Sequence, residues 1–164
     1  MARVKSRTET QQERRADRTI VTNRRALHEY FVLESLEVGI VLSGTEIKSV
    51  REGKVQMADA YARIDNGELW LIGMHISPYS HGSYTNHQPD RPRKLMAHRD
   101  QIAHLKGSVE QKGLTLIPIK LYLKRGRAKV ELGLCRGKKL YDKRQTSAER
   151  ESQRDIARAL RDRE

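Results

Sequence analysis

The sequence holds a single cysteine, Cys135, one tryptophan, one phenylalanine and four prolines in 164 residues. One cysteine excludes an intrachain disulfide framework and a thiolate cluster for zinc, and it suits a reducing compartment. No apolar run approaches the length of a membrane span, and the segment Met1 to Arg18 lacks the apolar stretch of a secretory signal. Glu9, Glu13 and Asp17 are equally wrong for an organellar transit peptide. A soluble, cytoplasmic protein without a membrane partner is expected. A phosphate loop ending in Lys-Ser/Thr is missing, as is a dinucleotide fingerprint after a strand, so nucleotide hydrolysis and hydride transfer lack their binding elements. The six histidines, His28, His75, His81, His87, His98 and His104, form neither a metalloprotease helix motif nor a zinc-finger array. Glu37, Glu46, Asp59 and Asp65 are spread along the chain, with nothing in their spacing to suggest a two-metal site. The expectation is a protein that is not an enzyme, with no cofactor, no metal and no small-molecule substrate.

What the chain does have is positive charge. Lysine and arginine number 33 against 21 acidic residues, a net charge of +12, which makes a polyanion the default partner. Charge alone does not separate DNA from RNA. Only 37% of residues are apolar while 33% are charged, so a core can form only if some stretches lie outside it. The length suits one domain with appendages.

Those stretches are visible. Residues 1–18 contain almost nothing apolar and read as a flexible polar arm. From Thr19 the texture changes, and Tyr30 to Leu42 is rich in β-branched and aromatic residues, a strand in which Gly39 marks a bend or bulge. Ile47 and Val50 in the run from Gly44 to Gly53 suit a short helix whose polar side, with Glu46, Lys48 and Arg51, faces solvent or ligand. Ala60 to Ile64 and Glu68 to Ile72 flank Asn66-Gly67, a tight hairpin turn. Ser77 to Arg93 is a long loop or mobile excursion. Ile102, Leu105 and Val109 give an amphipathic helix over Arg99 to Gln111. Leu114 to Leu123 and Ala128 to Leu134 form a second strand pair around Arg125-Gly126, with Pro118 at an edge or bulge. Many short strands with few helices and no βαβ alternation predict a mainly β fold, an OB-like closed or nearly closed barrel over 19–134. Residues 135–164 read as a basic tail with latent helicity, Thr146 and Glu149 having capping-box spacing, and it should stay disordered until something else orders it.

Two basic clusters flank the structured segments, Asn23-Arg24-Arg25 with His28, and Arg91, Arg93 and Lys94. On one face they would track a nucleic-acid backbone, with Tyr30, Tyr61 or Tyr79 stacking on unpaired bases; alternatively the arginines are solvated and the tyrosines are core. Gly137-Lys138-Lys139 and Lys143-Arg144, with Tyr141 between, combine phosphate-binding cations with a stackable ring, or are simply a solubilising tail.

Read in order, NRRALHEY (Asn23 to Tyr30), GTEIKSVREG (Gly44 to Gly53), DAY (Asp59 to Tyr61), RPRKL (Arg91 to Leu95) and GKKLYDKR (Gly137 to Arg144) resemble the SmpB family, the SsrA-binding proteins. The resemblance covers roughly 19–163. It implies an OB-type barrel with small flanking helices that binds the tRNA-like domain of transfer-messenger RNA in bacterial ribosome rescue, and a tail that enters a stalled ribosome. It implies an RNA face comprising Asn23, Arg24, Arg25, His28, Glu37, Lys48, Tyr61, Arg93, Lys94, Met96 and Lys129. Glu37 is chemically reasonable there, since a carboxylate accepts hydrogen bonds from base amino groups while cations hold phosphates. It further implies that Tyr141 stacks in the decoding centre of 16S rRNA, amid Gly137, Lys138, Lys139, Asp142, Lys143 and Arg144. Family members can carry histidine at the place of Tyr141, and both rings stack. Arg150, Arg154 and Arg158, on one helix face, would then meet ribosomal RNA phosphates in the empty mRNA channel. The rival expectation is a basic ribosomal or ribosome-assembly protein that binds rRNA.

Overall fold

A computed structural model of the protein describes residues 17–82 and 84–161. The strand β1 (Arg18–Thr22) leads into a short helix α1 (Arg24–Glu29), the long strand β2 (Tyr30–Ile40) and helix α2 (Gly44–Arg51). Then come β3 (Val55–Gln56), the hairpin β4 (Tyr61–Asp65) and β5 (Glu68–Ile72), β6 (His75–Ile76) and β7 (Arg93–Met96). Helix α3 (Arg99–Lys112), the hairpin β8 (Thr115–Lys124) and β9 (Arg127–Gly137), and helix α4 (Leu140–Arg161) complete the described chain. The fold is mainly β. One antiparallel sheet has the order β1-β8-β4-β5-β7-β2-β9, and β9 pairs again with β8, while β3 and β6 form a separate ladder.

The tight turns sit where the residues allow positive φ: Asn66 and Gly67 at 49° and 74°, Arg125 and Gly126 at 51° and 77°. Helix α3 ends at Gly113, whose φ of 63° supplies the left-handed cap. Pro118 lies beside a bulge, as expected, the register of β8 against β9 shifting between Pro118 and Lys120. Gly39 is not at a bulge. It is in register with both Met96 and Lys129, and the bulge in β2 falls at Leu33 instead. What Gly39 provides is room, because a Cβ there would stand 2.9 Å from Met96 Cε.

Inward residues alternate along the strands, and Val38, Leu69, Leu71, Leu95, Leu116, Leu121, Val130 and Leu132 meet in one core. Strand β9 runs to Gly137 and Cys135 is fully buried, so the sheet extends past Leu134, the boundary expected from the fading of apolar residues. Burial holds the Cys135 thiol up at about 11, away from thiolate chemistry.

The expectation for α2 needs correction. Its start is fixed by a capping box between Ser43 and Glu46, but Glu46 does not face solvent: its side chain is 0% exposed. Arg91 reaches it at 2.8 and 2.6 Å and Arg93, also 0% exposed, at 2.9 Å. Arg93 donates its remaining bonds to Met74 O at 2.6 Å and Pro89 O at 2.9 Å. Arg93, expected on an RNA face, is therefore a core residue whose guanidinium is consumed internally. The same bonds pin the far end of the loop 77–92, and His87 pins its middle, its ring nitrogens lying 2.9 Å from Thr45 Oγ1 and 2.9 Å from Ile76 O.

Burial is the largest influence on the Glu46 carboxyl and pushes it up, but the bonds from Arg91 and from the Ser43 N–H and the charge of Arg93 together bring it down to about 2. Since the folded value lies below the unfolded one, its contribution to stability is complete above the ordinary carboxylate range and is lost as pH falls towards about 2. Removing the carboxylate strands Arg93 unpaired in the core, so Glu46→Ala should cost about 3–5 kcal/mol in urea unfolding at neutral pH, the scale for breaking a buried pair. Glu46→Gln should also flatten the acid limb of the stability curve. A loss below 1 kcal/mol for the alanine variant, the scale of a surface pair, would show the pair to be dispensable.

Candidate nucleic-acid interface

The outer surface of the β8–β9 hairpin is split by the bulge. Up to it, Ile117 and the bulged Ile119 point outward with Cys135 and pack under Ala26 of α1, with Leu27 and Tyr30 at the margin. After it the parity reverses, Leu121 and Leu123 turn into the core, and Lys120, Tyr122 and Lys124 line the outside. The ladders then set a row across the sheet: Tyr122 opposite Lys129, Lys129 opposite Gly39, and Gly39 opposite Met96. Met96 lies over Gly39 with 55% of its surface exposed.

Glu37 sits beside this row on β2. The Tyr122 hydroxyl donates a short hydrogen bond to Oε2, and Lys124 Nζ lies 3.3 and 3.2 Å from the two carboxylate oxygens. The Tyr122 bond, against partial burial and with help from Lys124 and Lys129, lowers the pKa of the Glu37 carboxyl. The result is an ionised acceptor held in one orientation with lone pairs to spare, ringed by cations. Lys94, outward on β7, pairs with Glu68 at 2.5 Å.

A second group gathers on α1. Arg24 and Arg25 are exposed and His28 is half-buried. Arg25 pairs with Glu29 at 3.2 Å and Asp59 at 2.6 Å. Together with Tyr30 and Tyr61, Arg25 borders a cleft of about 310 Å³. Tyr61 is exposed and free to stack. This group and the Glu37 row lie on the outside of the same hairpin, Ile117 and Tyr122 being five residues or about 17 Å apart along β8. Lys48 stands elsewhere, on α2, its ammonium 5.3 Å from the centre of the Tyr79 ring.

Helix α4 carries the tail residues. Lys139 donates its N–H to Asp142 Oδ2 at 3.1 Å, so the helix starts at Leu140, and Thr146 lies inside it, bonding back to Asp142 O at 2.9 Å rather than capping. Tyr141 is 75% exposed, and Lys139, Arg144, Arg150, Arg154 and Arg158 are exposed as well. The four-residue spacing of the last three puts them on one face. Within the helix Arg158 is bridged to Asp155 at 4.0 Å, and Asp162 lies outside the described residues. So does most of the expected N-terminal arm, residues 1–16.

The SmpB protein family model matches residues 20–162. The chain belongs to the SmpB family. The SsrA-binding protein of Desulforudis audaxviator is 57% identical over 148 residues, covering 90% of this chain and 97% of that protein. The one from Desulfitobacterium hafniense is 59% identical over 145 residues, 88% and 93% of the two. Among solved structures, one named "tmRNA-SmpB: a journey to the center of the bacterial ribosome" is similar at a TM-score of 0.63 and 52% identity, covering 76% of this chain and 91% of that one.

Three positions that the SmpB resemblance assigns to RNA or ribosome have other duties here. Asn23 is 3% exposed: its Oδ1 accepts the Ala26 N–H at 3.0 Å, and its amide donates to Met57 O and Pro118 O at 3.0 and 3.1 Å. It ties α1 to the sheet, with both amide N–H donors used and the side chain buried. Arg93 is held in the core. Lys138 is half-buried, its ammonium 3.3 Å from both Leu27 O and Thr146 Oγ1. Conversely, Tyr122 and Lys124 enter this SmpB-family surface unannounced. The signal was present in the alternation of Lys120, Tyr122 and Lys124 along β8, polar residues at every second place on one face.

Replacing Tyr122 by phenylalanine removes the main bond to Glu37 and should raise its carboxyl pKa, read from the pH dependence of its side-chain carbon resonance. An unmoved titration would mean that Tyr122 does not hold the carboxylate.

Proposed function

We propose that this chain binds the tRNA-like domain of transfer-messenger RNA and delivers it to stalled bacterial ribosomes, working in the cytoplasm by binding and without chemistry of its own. The observation that carries this reading is the Glu37 row, an oriented, ionised acceptor set among Lys124, Lys129 and Tyr122 on bare sheet surface. Cations alone hold any phosphate backbone; an acid among them weakens that general attraction and is useful only if a base donor meets it. Membership of the SmpB family, with its SsrA-binding relatives, gives the RNA its identity.

In this reading the strands form an OB-type closed barrel within a body of 17–137. Glu37, Met96, Lys94, Lys129, Tyr122 and Lys124 make the primary RNA contact. Arg24, Arg25, His28 and Tyr61 make a second one, and Lys48 joins them only through the resemblance. The tail enters the vacant mRNA channel. Tyr141 stacks in the decoding centre between Lys139, Lys143 and Arg144, Asp142 holds the first turn, and Arg150, Arg154 and Arg158 take ribosomal phosphates. A 22-residue helix without a buried residue gains nothing from the body along most of its length, so its lasting helical form belongs to the ribosome-bound state.

Affinities for transfer-messenger RNA, ribosomal RNA fragments and duplex DNA at physiological salt test this directly. A preference of at least about a hundredfold for the first is expected, well within the usual span between specific and non-specific binding. Equal affinities would remove the rescue assignment and return the protein to the class of general rRNA binders. Ending the chain after Lys139 should leave RNA affinity nearly intact and abolish productive ribosome engagement; loss of both would refute the division of labour.

A further inference from the structure

Among the described residues, the hydrogen bonds from the tail to the body come from Lys138, just before the tail helix. Lys138 donates its backbone N–H to Glu29 O at 2.8 Å and directs its ammonium to Leu27 O at 3.3 Å, so both bonds engage the C-terminal carbonyls of α1. The same ammonium lies 3.3 Å from Thr146 Oγ1, two turns into α4, and 5.0 Å from the centre of the Phe31 ring, near which Arg136 also stands. The donors and acceptors form a consistent chain. Lys138 donates to the Thr146 hydroxyl, which donates in turn to Asp142 O at 2.9 Å, while Asp142 Oδ2 accepts the Lys139 N–H. In that chain each N–H and O–H donates and each oxygen accepts, the Thr146 hydroxyl doing both.

A lysine bridging a carbonyl of one helix and a hydroxyl of another does something that a solvated lysine does not: it fixes the angle between them. It also bears on how the tail becomes helical. Helix formation is limited by its first turn, and propagation is then easy. The Asp142 cap and the Lys138 bridge hold that first turn on the body, while residues beyond Thr146 have no such support. Among the described residues Arg150 and Arg154, after it, make no ion pair and stay available for phosphates.

We infer that Lys138 is a positioning residue, a latch between α1 and Thr146 that aims the tail helix and supplies its nucleus before any partner is met. Since α1 also carries Arg24, Arg25 and His28, one short helix is shared by the proposed RNA contact and the tail. The functional consequence rests on the proposed ribosome role, whereas the latch itself stands on the contacts above.

The experiment uses the full chain with spin labels at Lys112→Cys on α3 and Ala148→Cys on α4; Cys135, buried, stays unlabelled in the native state. In the free protein the distance distribution should be narrow. Lys138→Met, which keeps the apolar stem and loses the donor, and Thr146→Val, which keeps the shape and loses the hydroxyl, should each widen it at least twofold. Lys138→Arg, which keeps donors for both oxygens, should retain the narrow distribution. Affinity for transfer-messenger RNA should stay within twofold in all variants, while ribosome engagement by Lys138→Met falls about tenfold. A distribution unchanged in both Lys138→Met and Thr146→Val, or one already broad in the unaltered protein, overturns the latch. Thr146→Val lies outside the sheet and keeps the test valid if Lys138→Met unfolds. Should the unaltered protein show no preference for transfer-messenger RNA, the functional reading falls while the label distances still decide the latch.

Discussion

The buried pairing of Glu46 with Arg93 sets the register on which the proposed RNA face depends. Arg93 gathers α2, the residue before β6, the end of the long loop and β7 around one guanidinium through Glu46, Met74 O and Pro89 O. Because side chains alternate along a strand, an inward Arg93 requires Lys94 outward, Leu95 inward and Met96 outward. Met96 can lie flat only because Gly39 opposes it. A slip of one residue in β7 would bury Lys94 and Met96 and expose Leu95 and a guanidinium that needs its carboxylate. A charged pair in the core thus determines which residues are presented on the surface.

The two bulges do related work. In β8 the extra residue beside Pro118 switches the outward set from Ile117 and Ile119 to Lys120, Tyr122 and Lys124, so one strand provides an apolar seat for α1 and a polar surface beyond it. In β2 the bulge at Leu33 separates Tyr30, packed with that seat, from Glu37 and Gly39 on the row. Without these switches, α1 and the Glu37 cage could not share a hairpin while Leu121, Leu123 and Val38 stay inside.

Local chemistry was legible where it alone decides the conformation. Asn66-Gly67, Arg125-Gly126, Gly113 and the spacing of Ile102, Leu105 and Val109 each point to one structure, and each takes it. The five motifs likewise pointed to the family. What was not legible is where polar residues with distant partners go: Asn23 to Pro118, Glu46 to Arg93, Lys138 to Leu27. Charge reads as surface from sequence because an unpaired buried ion is so costly, and the partner that cancels this cost lies beyond any local window. Helix α1 is only six residues long, too short for a periodic signal, and Tyr122 stood in a strand whose outward face went unread.

Electrostatics explains why an acidic residue belongs in a chain of net charge +12. The long-range field of 33 basic side chains draws in every polyanion alike, so it governs encounter and most of the affinity while distinguishing nothing. Discrimination has to come from a group whose reward depends on geometry. In the proposed contact Glu37 meets that condition, because Tyr122 and Lys124 hold its carboxylate and keep it ionised, so a correctly placed amino group would gain a charge-assisted bond and a phosphate would be repelled. The tail follows the opposite logic. A 22-residue helix spans about 33 Å, and beyond its first two turns it carries arginines on one face and little apolar surface, so it gains stability only where phosphates line its path. On the proposed reading, a channel walled by ribosomal RNA and emptied of message supplies that path, and a channel still holding message does not.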